Sequence, residues 1–106
     1  MYEPAYYKNL SLTEIREKVV TEGFDPIRIV DPPGRVYSPH RHAETKLLAF
    51  LEGEMDVTVQ SDQYRCKPRD KLLVPQAASI SGQRRLFSDA RCRWMAFSHS
   101  ADRIQR

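Results

Sequence analysis

Two histidines separated by one residue, His40 and His42, are the side chains of this sequence best suited to bind a ligand. On an extended segment, side chains alternate between two faces, so both imidazoles point to the same side. If the following strand keeps the same parity, Lys46 joins that side and brings an ammonium group beside the rings. The pattern therefore predicts a ligand site made of two imidazoles, with the lysine ammonium group next to them.

Short runs of alternating apolar and polar residues begin after Phe24 and surround the histidine segment. Turn residues separate these runs, as is typical of strands. The predicted strands cover residues 27–30, 55–59, 63–66, 72–74 and 91–97, with a hairpin-edge region at 80–87. Ser61-Asp62 is predicted to be the tight turn between the strands at 55–59 and 63–66. Many short strands after one early helix predict an all-β fold, an antiparallel barrel or sandwich.

One short helix is predicted ahead of the strands. Ser11-Leu-Thr-Glu14 is a capping box, in which the serine oxygen and the glutamate carboxylate each accept a backbone N–H. Gly23 is placed to end the helix. The first ten residues contain three tyrosines without periodicity, which predicts an arm that becomes ordered by lying on another surface.

The length and composition indicate one globular domain. A chain of 106 residues can form a single core, and 41% hydrophobic with 29% charged residues is ordinary for a folded protein. The predicted organisation is an N-terminal arm and helix at residues 1–23, a barrel at 24–98 and a polar tail at 99–106, which includes His99.

Charge and hydropathy argue against two classes of partner. The net charge of +3 is mild and the basic residues are dispersed, which disfavours nucleic-acid binding. No apolar run is long enough to span a bilayer and the opening residues lack the apolar core of a signal peptide, so no membrane association is expected and the predicted location is cytoplasmic. There, Cys66 and Cys92 are expected to be free thiols that point into the core.

The histidine segment resembles the first motif of the cupins. That motif is matched here by Gly34, five residues, His40-Arg-His42, three residues, Lys46, six residues and Gly53. The resemblance covers residues 24–98 and implies a small single-domain cupin, a jelly-roll barrel with one short N-terminal helix. Small cupins commonly form dimers, so a homodimer is expected, and the N-terminal arm is a candidate for crossing to the partner.

The second cupin motif is retained only in part. Its pattern is Gly, five residues, Pro-x-Gly, two residues, His, three residues, Asn. Aligned on Pro75, these Gly, Gly, His and Asn positions are occupied by Arg69, Ala77, Ile80 and Arg84. The resemblance therefore supports the cupin fold more strongly than it supports the metal-binding chemistry of the family.

These replacements bear on metal binding. In a metal-bearing cupin, the two histidines and the glutamate of the first motif join the histidine of the second around one divalent cation. Here Lys46 replaces the carboxylate and Ile80 replaces the last imidazole. A protonated lysine has no lone pair, and two imidazoles fall short of the three protein ligands of an open zinc or iron site. The resemblance thus implies a degenerate or rebuilt metal site.

Lys46 admits three interpretations. Its ammonium can form a metal-free anion pocket with the histidines, or its stem can lie along the wall while the charge reaches solvent. A third interpretation is a nucleophilic amine able to form a Schiff base.

Three functions follow from these interpretations. The leading one is a stand-alone cupin that binds a small polar or anionic molecule inside the barrel through His40, His42, Lys46 and Tyr64. The alternative is a metal-dependent enzyme of dioxygenase or isomerase type, in which His40 and His42 hold Fe, Mn, Ni or Zn. Waters, Glu44 or one of the two cysteines would then complete the metal shell. The third is a dimerisation or interaction module whose barrel is filled by side chains such as Trp94. Whether the chain is an enzyme stays open at this point.

Overall fold

The computed structural model describes residues 1–84 and 92–99 of the chain. Nine strands and one helix follow one another in these residues. They are β1 (Tyr2–Glu3), α1 (Leu12–Thr21), β2 (Asp25–Asp31), β3 (Val36–Arg41), β4 (Thr45–Glu52), β5 (Met55–Val59), β6 (Asp62–Cys66), β7 (Lys71–Val74), β8 (Ser79–Arg84) and β9 (Cys92–His99). The predicted all-β fold with one short N-terminal helix is confirmed.

The strands form two antiparallel sheets. One sheet has the order β1-β7-β4-β9-β2 and the other has the order β3-β8-β5-β6. Apolar side chains from both sheets pack against one another in a single buried cluster. Its buried members are Leu48, Phe50, Leu72 and Val74 from the first sheet, Met55, Val57, Val59, Cys66 and Ile80 from the second, and Ala78 from the turn before β8. The sheets therefore enclose an interior, as in a jelly roll.

Strand β4 is buried on both of its faces. Leu48 and Phe50 point between the sheets, whereas Leu47, Ala49 and Leu51 belong to a second cluster on the outer side. The helix and the arm supply the rest of that second cluster. This double burial explains why β4 has a nearly continuous apolar sequence rather than an alternating one.

Helix α1 begins at the predicted capping box. The Ser11 hydroxyl accepts a hydrogen bond from the Glu14 amide at 3.1 Å, and the Ser11 amide donates to the Glu14 carboxylate at 2.9 Å. The helix ends next to Gly23, whose φ of 95° is a left-handed conformation that favours glycine. Ile15 and Val19 face the barrel and are fully buried.

The N-terminal arm lies on the barrel of its own chain. β1 pairs with β7, and Tyr7 is fully buried in the outer cluster. The buried Asp70 carboxylate accepts hydrogen bonds from the Tyr2 hydroxyl, from the Ala5 amide at 2.8 Å and from the Lys67 amide at 2.8 Å. The arm is thus ordered by contacts within one chain, and the expected homodimer stays a prediction.

The turn after β5 lies one residue earlier than predicted. Val59 pairs with Asp62, so the two-residue loop is Gln60-Ser61, and Gln60 has a φ of 56°. Gln60 is held there by Ser79, because its backbone amide donates to the Ser79 carbonyl and its side-chain oxygen accepts from the Ser79 amide, both at 2.8 Å. A contact distant in sequence therefore overrides the local turn preference.

Some predictions concern the end of the chain. β8 agrees with the strand predicted to begin near Ile80, whereas residues 85–91 lie outside the described part. β9 extends to His99, one residue past the predicted end of the barrel. The predicted inward directions of Cys92 and Trp94, and the rest of the tail, lie outside what is described. Within the described residues, no helix has the length and apolar character needed to cross a membrane.

Candidate functional site

A β-bulge in β3 determines which side chains face the barrel interior. Tyr37 pairs with Gly82 and His40 with Ile80, so β3 has one residue more than β8 between these pairs. The extra residue falls at Ser38-Pro39, where the proline cannot donate to the sheet. As a result, Tyr37 and His40 face the same side despite their odd spacing.

A cavity of about 240 Å³ opens between the two sheets beside this bulge. His40, His42 and Lys46 all line it, so the structure brings together three of the predicted site residues. The other polar lining residues in the described part of the chain are Tyr37 and Ser81. The described apolar lining residues are Ile29, Leu48, Met55, Val57 and Ile80, and Gly82 also lines the cavity. We call this cavity the histidine pocket.

The two imidazole rings form an edge-to-face pair. Their centroids are 4.6 Å apart and their planes are inclined at 88°. His40 Nδ1 lies 2.7 Å from the Ser38 carbonyl oxygen. A carbonyl can only accept, so Nδ1 carries the proton and donates to it, and the lone pair of a neutral His40 is on Nε2.

His42 follows directly after β3 and is half-buried. Burial lowers the pKa of His42, and electrostatic interactions with Lys46 and His40 lower it further, whereas Glu44 acts in the opposite direction. His42 is therefore a neutral imidazole at neutral pH, with one ring nitrogen that donates and one that accepts.

The described donors of the histidine pocket do not by themselves fit a divalent metal ion. Ile80 is the direct neighbour of His40 across β3 and β8, so an isoleucine occupies the place where the cupin motif has its last histidine. Glu44 and Cys66 are not among the lining residues. In residues 1–84, no three His, Cys, Asp or Glu side chains come together in a way that could hold a metal. Among the described lining residues two imidazoles remain as donors, fewer than a metal site needs, whereas the Cys92 side chain lies outside what is described.

Tyr64 is not brought to the histidine pocket. It lies on the edge strand β6, where its ring packs against Tyr2 with centroids 5.0 Å apart. There it lines a separate, wide depression of about 840 Å³ between the arm and the β5–β6 hairpin. The predicted role of Tyr64 as a ligand contact in the same site as the histidines has no support from this placement.

Tyr37 is a pocket residue that the motif spacing does not predict. Its hydroxyl donates to the Asp31 carboxylate at 2.7 Å, and Asp31 is almost completely buried. The Arg35 guanidinium lies over the Tyr37 ring, 4.7 Å from its centroid. These contacts fix the ring as a wall of the pocket. The signal in the sequence was Pro39, which predicts a bulge and hence a change of parity between Tyr37 and His40.

Comparison with known proteins identifies the family. A family model described as the AraC-like ligand binding domain matches residues 27–104. A search of curated proteins finds no match to this sequence.

Several solved structures with a similar fold are named as cupins. The cupin domain of Cnp3 from Schizosaccharomyces pombe matches with a TM-score of 0.65 and 17% identity, over 79% of this chain and 58% of that chain. An RmlC-like cupin from Shewanella frigidimarina matches with a TM-score of 0.62 and 17% identity, over 77% of this chain and 71% of that one. KdgF from Halomonas sp. matches with a TM-score of 0.61 and 20% identity, over 77% and 75%.

At these identities the structural matches establish the fold alone, and this chain spans less than two thirds of the Cnp3 domain. The predicted cupin jelly roll is thereby confirmed. The family model covers most of the chain and includes β3, β4 and β8, which carry most of the polar residues of the histidine pocket. The chain belongs to the AraC-like ligand binding domain family and has the cupin fold.

Proposed function

We propose that this chain binds a small polar or anionic molecule in the histidine pocket, without a metal ion. The observation that carries the proposal is the meeting of Lys46, His40 and His42 at one cavity of about 240 Å³ in a chain of a ligand-binding-domain family. Ligand sites are typically concave and largely apolar, with a few converging polar groups, and this cavity has that composition.

Electrostatics favour an anionic ligand. Lys46 is close enough to His42 to lower its pKa, so the positive charge of the lysine acts on the space that the imidazoles line. A bound anion is stabilised by that positive charge, and it accepts hydrogen bonds from the ammonium group and from an imidazole N–H. The cavity itself argues against the interaction-module alternative, in which the barrel is filled.

The anion hypothesis is tested by thermal denaturation with a panel of small carboxylates, phosphates and neutral polar compounds. We expect anions to raise the Tm of the unmodified protein and to raise that of Lys46→Met much less. Lys8→Met is the matched control, since Lys8 is exposed and lies outside the histidine pocket. Equal stabilisation of all three proteins by the anions would contradict the proposal.

The metal-free part of the proposal needs a separate measurement. Elemental analysis of protein purified without chelator should find no stoichiometric divalent metal. Stoichiometric metal that disappears in a His40→Ala/His42→Ala double variant would overturn this part and favour the metal-dependent enzyme instead. The double variant serves as the control for metal bound elsewhere on the chain.

A further inference from the structure

We infer that the histidine pocket selects a monocarboxylate with a compact apolar body, in preference to a sugar or a doubly charged anion. The inference rests on the proposed function and narrows it to one chemical class. It follows from three properties of the pocket: how its polar and apolar walls are arranged, how much charge it offers, and how large it is.

The polar and apolar parts of the pocket are arranged along β4. Lys46 lies near the start of this strand, close enough to His42 to affect its pKa, and Leu48 lies two residues further in. At about 3.3 Å per residue, that step moves roughly 7 Å deeper into the barrel. Val57, next to Gly82 across β5 and β8, extends the apolar wall. A ligand that spans the pocket therefore needs a charged end and an apolar end.

The charge of the pocket matches one negative group. Among the described residues that line it, Lys46 carries the one permanent positive charge, and His42 is held neutral at neutral pH. A carboxylate can accept from the lysine ammonium and from the His42 N–H at the same time. A second negative charge on the ligand would lie against apolar walls, where an uncompensated charge is costly.

The inner walls also disfavour a sugar. Ile29, Leu48, Met55 and Val57 offer no hydrogen-bonding groups to the hydroxyls of a bound polyol. The Tyr37 hydroxyl already donates its proton to Asp31 and can only accept from a ligand, so among the described lining residues Ser81 is the hydroxyl that could still donate. Hydroxyls buried there without partners would lose their hydration without replacement, whereas an apolar ring or branched chain gains from the same burial.

The size of the cavity limits the ligand. A volume of about 240 Å³ corresponds to roughly eight water molecules at about 30 Å³ each. The same space holds a carboxylate joined to one small ring or to a short branched chain. Acetate would leave most of the apolar wall uncovered.

Gly82 provides a way to test the size limit without touching the charged end. It faces Val57 in β5 and Tyr37 in β3. A Cβ at this position would meet the Asp56 carbonyl oxygen at 3.4 Å, Met55 Cε at 3.4 Å and Val57 Cγ2 at 3.7 Å. These distances are ordinary van der Waals contacts, so Gly82→Ala is compatible with the fold while its methyl group takes up pocket space.

The experiment measures dissociation constants by titration calorimetry at constant ionic strength for benzoate, benzamide, phthalate, acetate and a pentose. We expect benzoate to bind at least about tenfold more tightly than each of the other four, a difference of about 1.4 kcal/mol. Lys46→Met should remove the preference for benzoate over its neutral isostere benzamide. Gly82→Ala should weaken benzoate and leave acetate unchanged.

Different results would overturn the monocarboxylate inference and the proposed function. Tightest binding of phthalate or the pentose, with a loss in Lys46→Met, would overturn the monocarboxylate inference and leave the pocket as the binding site. Equal binding of benzoate and benzamide would also overturn the inference. If none of the five compounds binds the unmodified protein and none alters its Tm, both the inference and the proposed function are wrong.

Discussion

Lys46 and His42 share a half-buried site, so the charge on one raises the free-energy cost of charging the other. Burial and the lysine ammonium both lower the pKa of His42 below the usual 6.5. The same proximity that suits an anion therefore keeps the imidazole neutral in the free protein. A bound anion offsets the lysine charge, and we expect the His42 pKa to rise when a ligand carboxylate enters.

The His42 titration gives a prediction at the level of single residues. Following its imidazole proton signals by NMR against pH, we expect a midpoint below 6.5 in the unmodified protein and an upward shift in Lys46→Met, because one of the causes of the lowering is removed. The Lys8→Met protein is the control and should titrate like the unmodified one. An identical His42 midpoint in all three proteins would show that the lysine charge does not reach the ring.

The same shift has a consequence for stability. In the unfolded chain His42 takes up its proton near its ordinary pKa of about 6.5, whereas in the folded protein it does so only at lower pH. The unfolded state therefore binds more protons between these two values, and the free energy of unfolding falls as the pH drops below about 6.5.

Motif spacing was enough to predict that His40, His42 and Lys46 lie close together at one cavity. His40, His42, Lys46 and Ile80 are found together because the number of residues between them fixes their places on paired strands. Tyr64 shows the limit of this argument. The alternation of side chains along a strand predicts which face of the sheet a residue lies on, and Tyr64 does share a face with Val57. The distance of Tyr64 from the histidines depends instead on which strands are neighbours in the sheet.

At the scale of the elements, two turns hold non-glycine residues where the cupin motif has glycine. Arg69 and Ala77 have φ values of 77° and 65°, in the left-handed region. Arg69 has a compensating contact, since its guanidinium donates to the Leu51 carbonyl at 3.0 Å. The Ala77 side chain is exposed, while the Ala77 backbone accepts from the Arg41 guanidinium and donates to the His42 carbonyl. The methyl group of Ala77 thus adds backbone strain without adding packing.

We predict that Ala77→Gly stabilises the protein by about 0.5–1 kcal/mol, because relief of the left-handed strain exceeds the entropy that glycine adds to the unfolded chain. Chemical denaturation measures the change. Ala43→Gly is the matched control, an exposed alanine that does not have a positive φ, and it should lower stability slightly. If both variants lose stability alike, the turn at Ala77 is not strained.

Helices, strands and turns were predicted well where residues close in sequence determine them. They were predicted less well where a contact between residues distant in sequence determines them. The capping box of α1 lies within four residues of sequence, and it forms as predicted. The turn after β5 was misplaced because Ser79, which holds Gln60, is nineteen residues away. The bulge at Ser38-Pro39 changed the parity of β3, and Tyr37 therefore entered the pocket unpredicted.

Across the whole molecule, β4 joins two clusters that depend on each other. Its inner face forms part of the barrel interior and its outer face is covered by α1 and the arm. Polar contacts hold α1 and the arm against the outer face of β4. The Lys71 ammonium pairs with Glu22 at 2.9 Å and lies near Glu3 at 3.8 Å, and it is 4.2 Å from the centroid of the Tyr6 ring. One lysine of β7 therefore links the arm and the end of the helix to the barrel.

Asp70 is a second residue that holds the arm on the barrel, and it gives a prediction for the stability of the whole molecule. Its buried carboxylate accepts from the Tyr2 hydroxyl and from the amides of Ala5 and Lys67. Asp70→Ala leaves the Ala5 and Lys67 amides without their acceptor, and the Tyr2 hydroxyl keeps the Arg65 carbonyl at 3.2 Å. We therefore expect a loss of about 2–4 kcal/mol in the free energy of unfolding and faster hydrogen exchange at the Ala5 amide. Asp62→Ala, at an exposed position, should change neither quantity.

Amide exchange distinguishes release of the arm from general weakening of the fold. If Asp70 acts by holding the arm, protection should fall more in the arm and the outer cluster around Tyr7 than at Val57 inside the barrel. Because Asp70 lies outside the histidine pocket, ligand affinity should be retained in the fraction that stays folded. Unchanged exchange at Ala5 in Asp70→Ala would mean that the strand pairing of β1 with β7 alone is enough to hold the arm on the barrel.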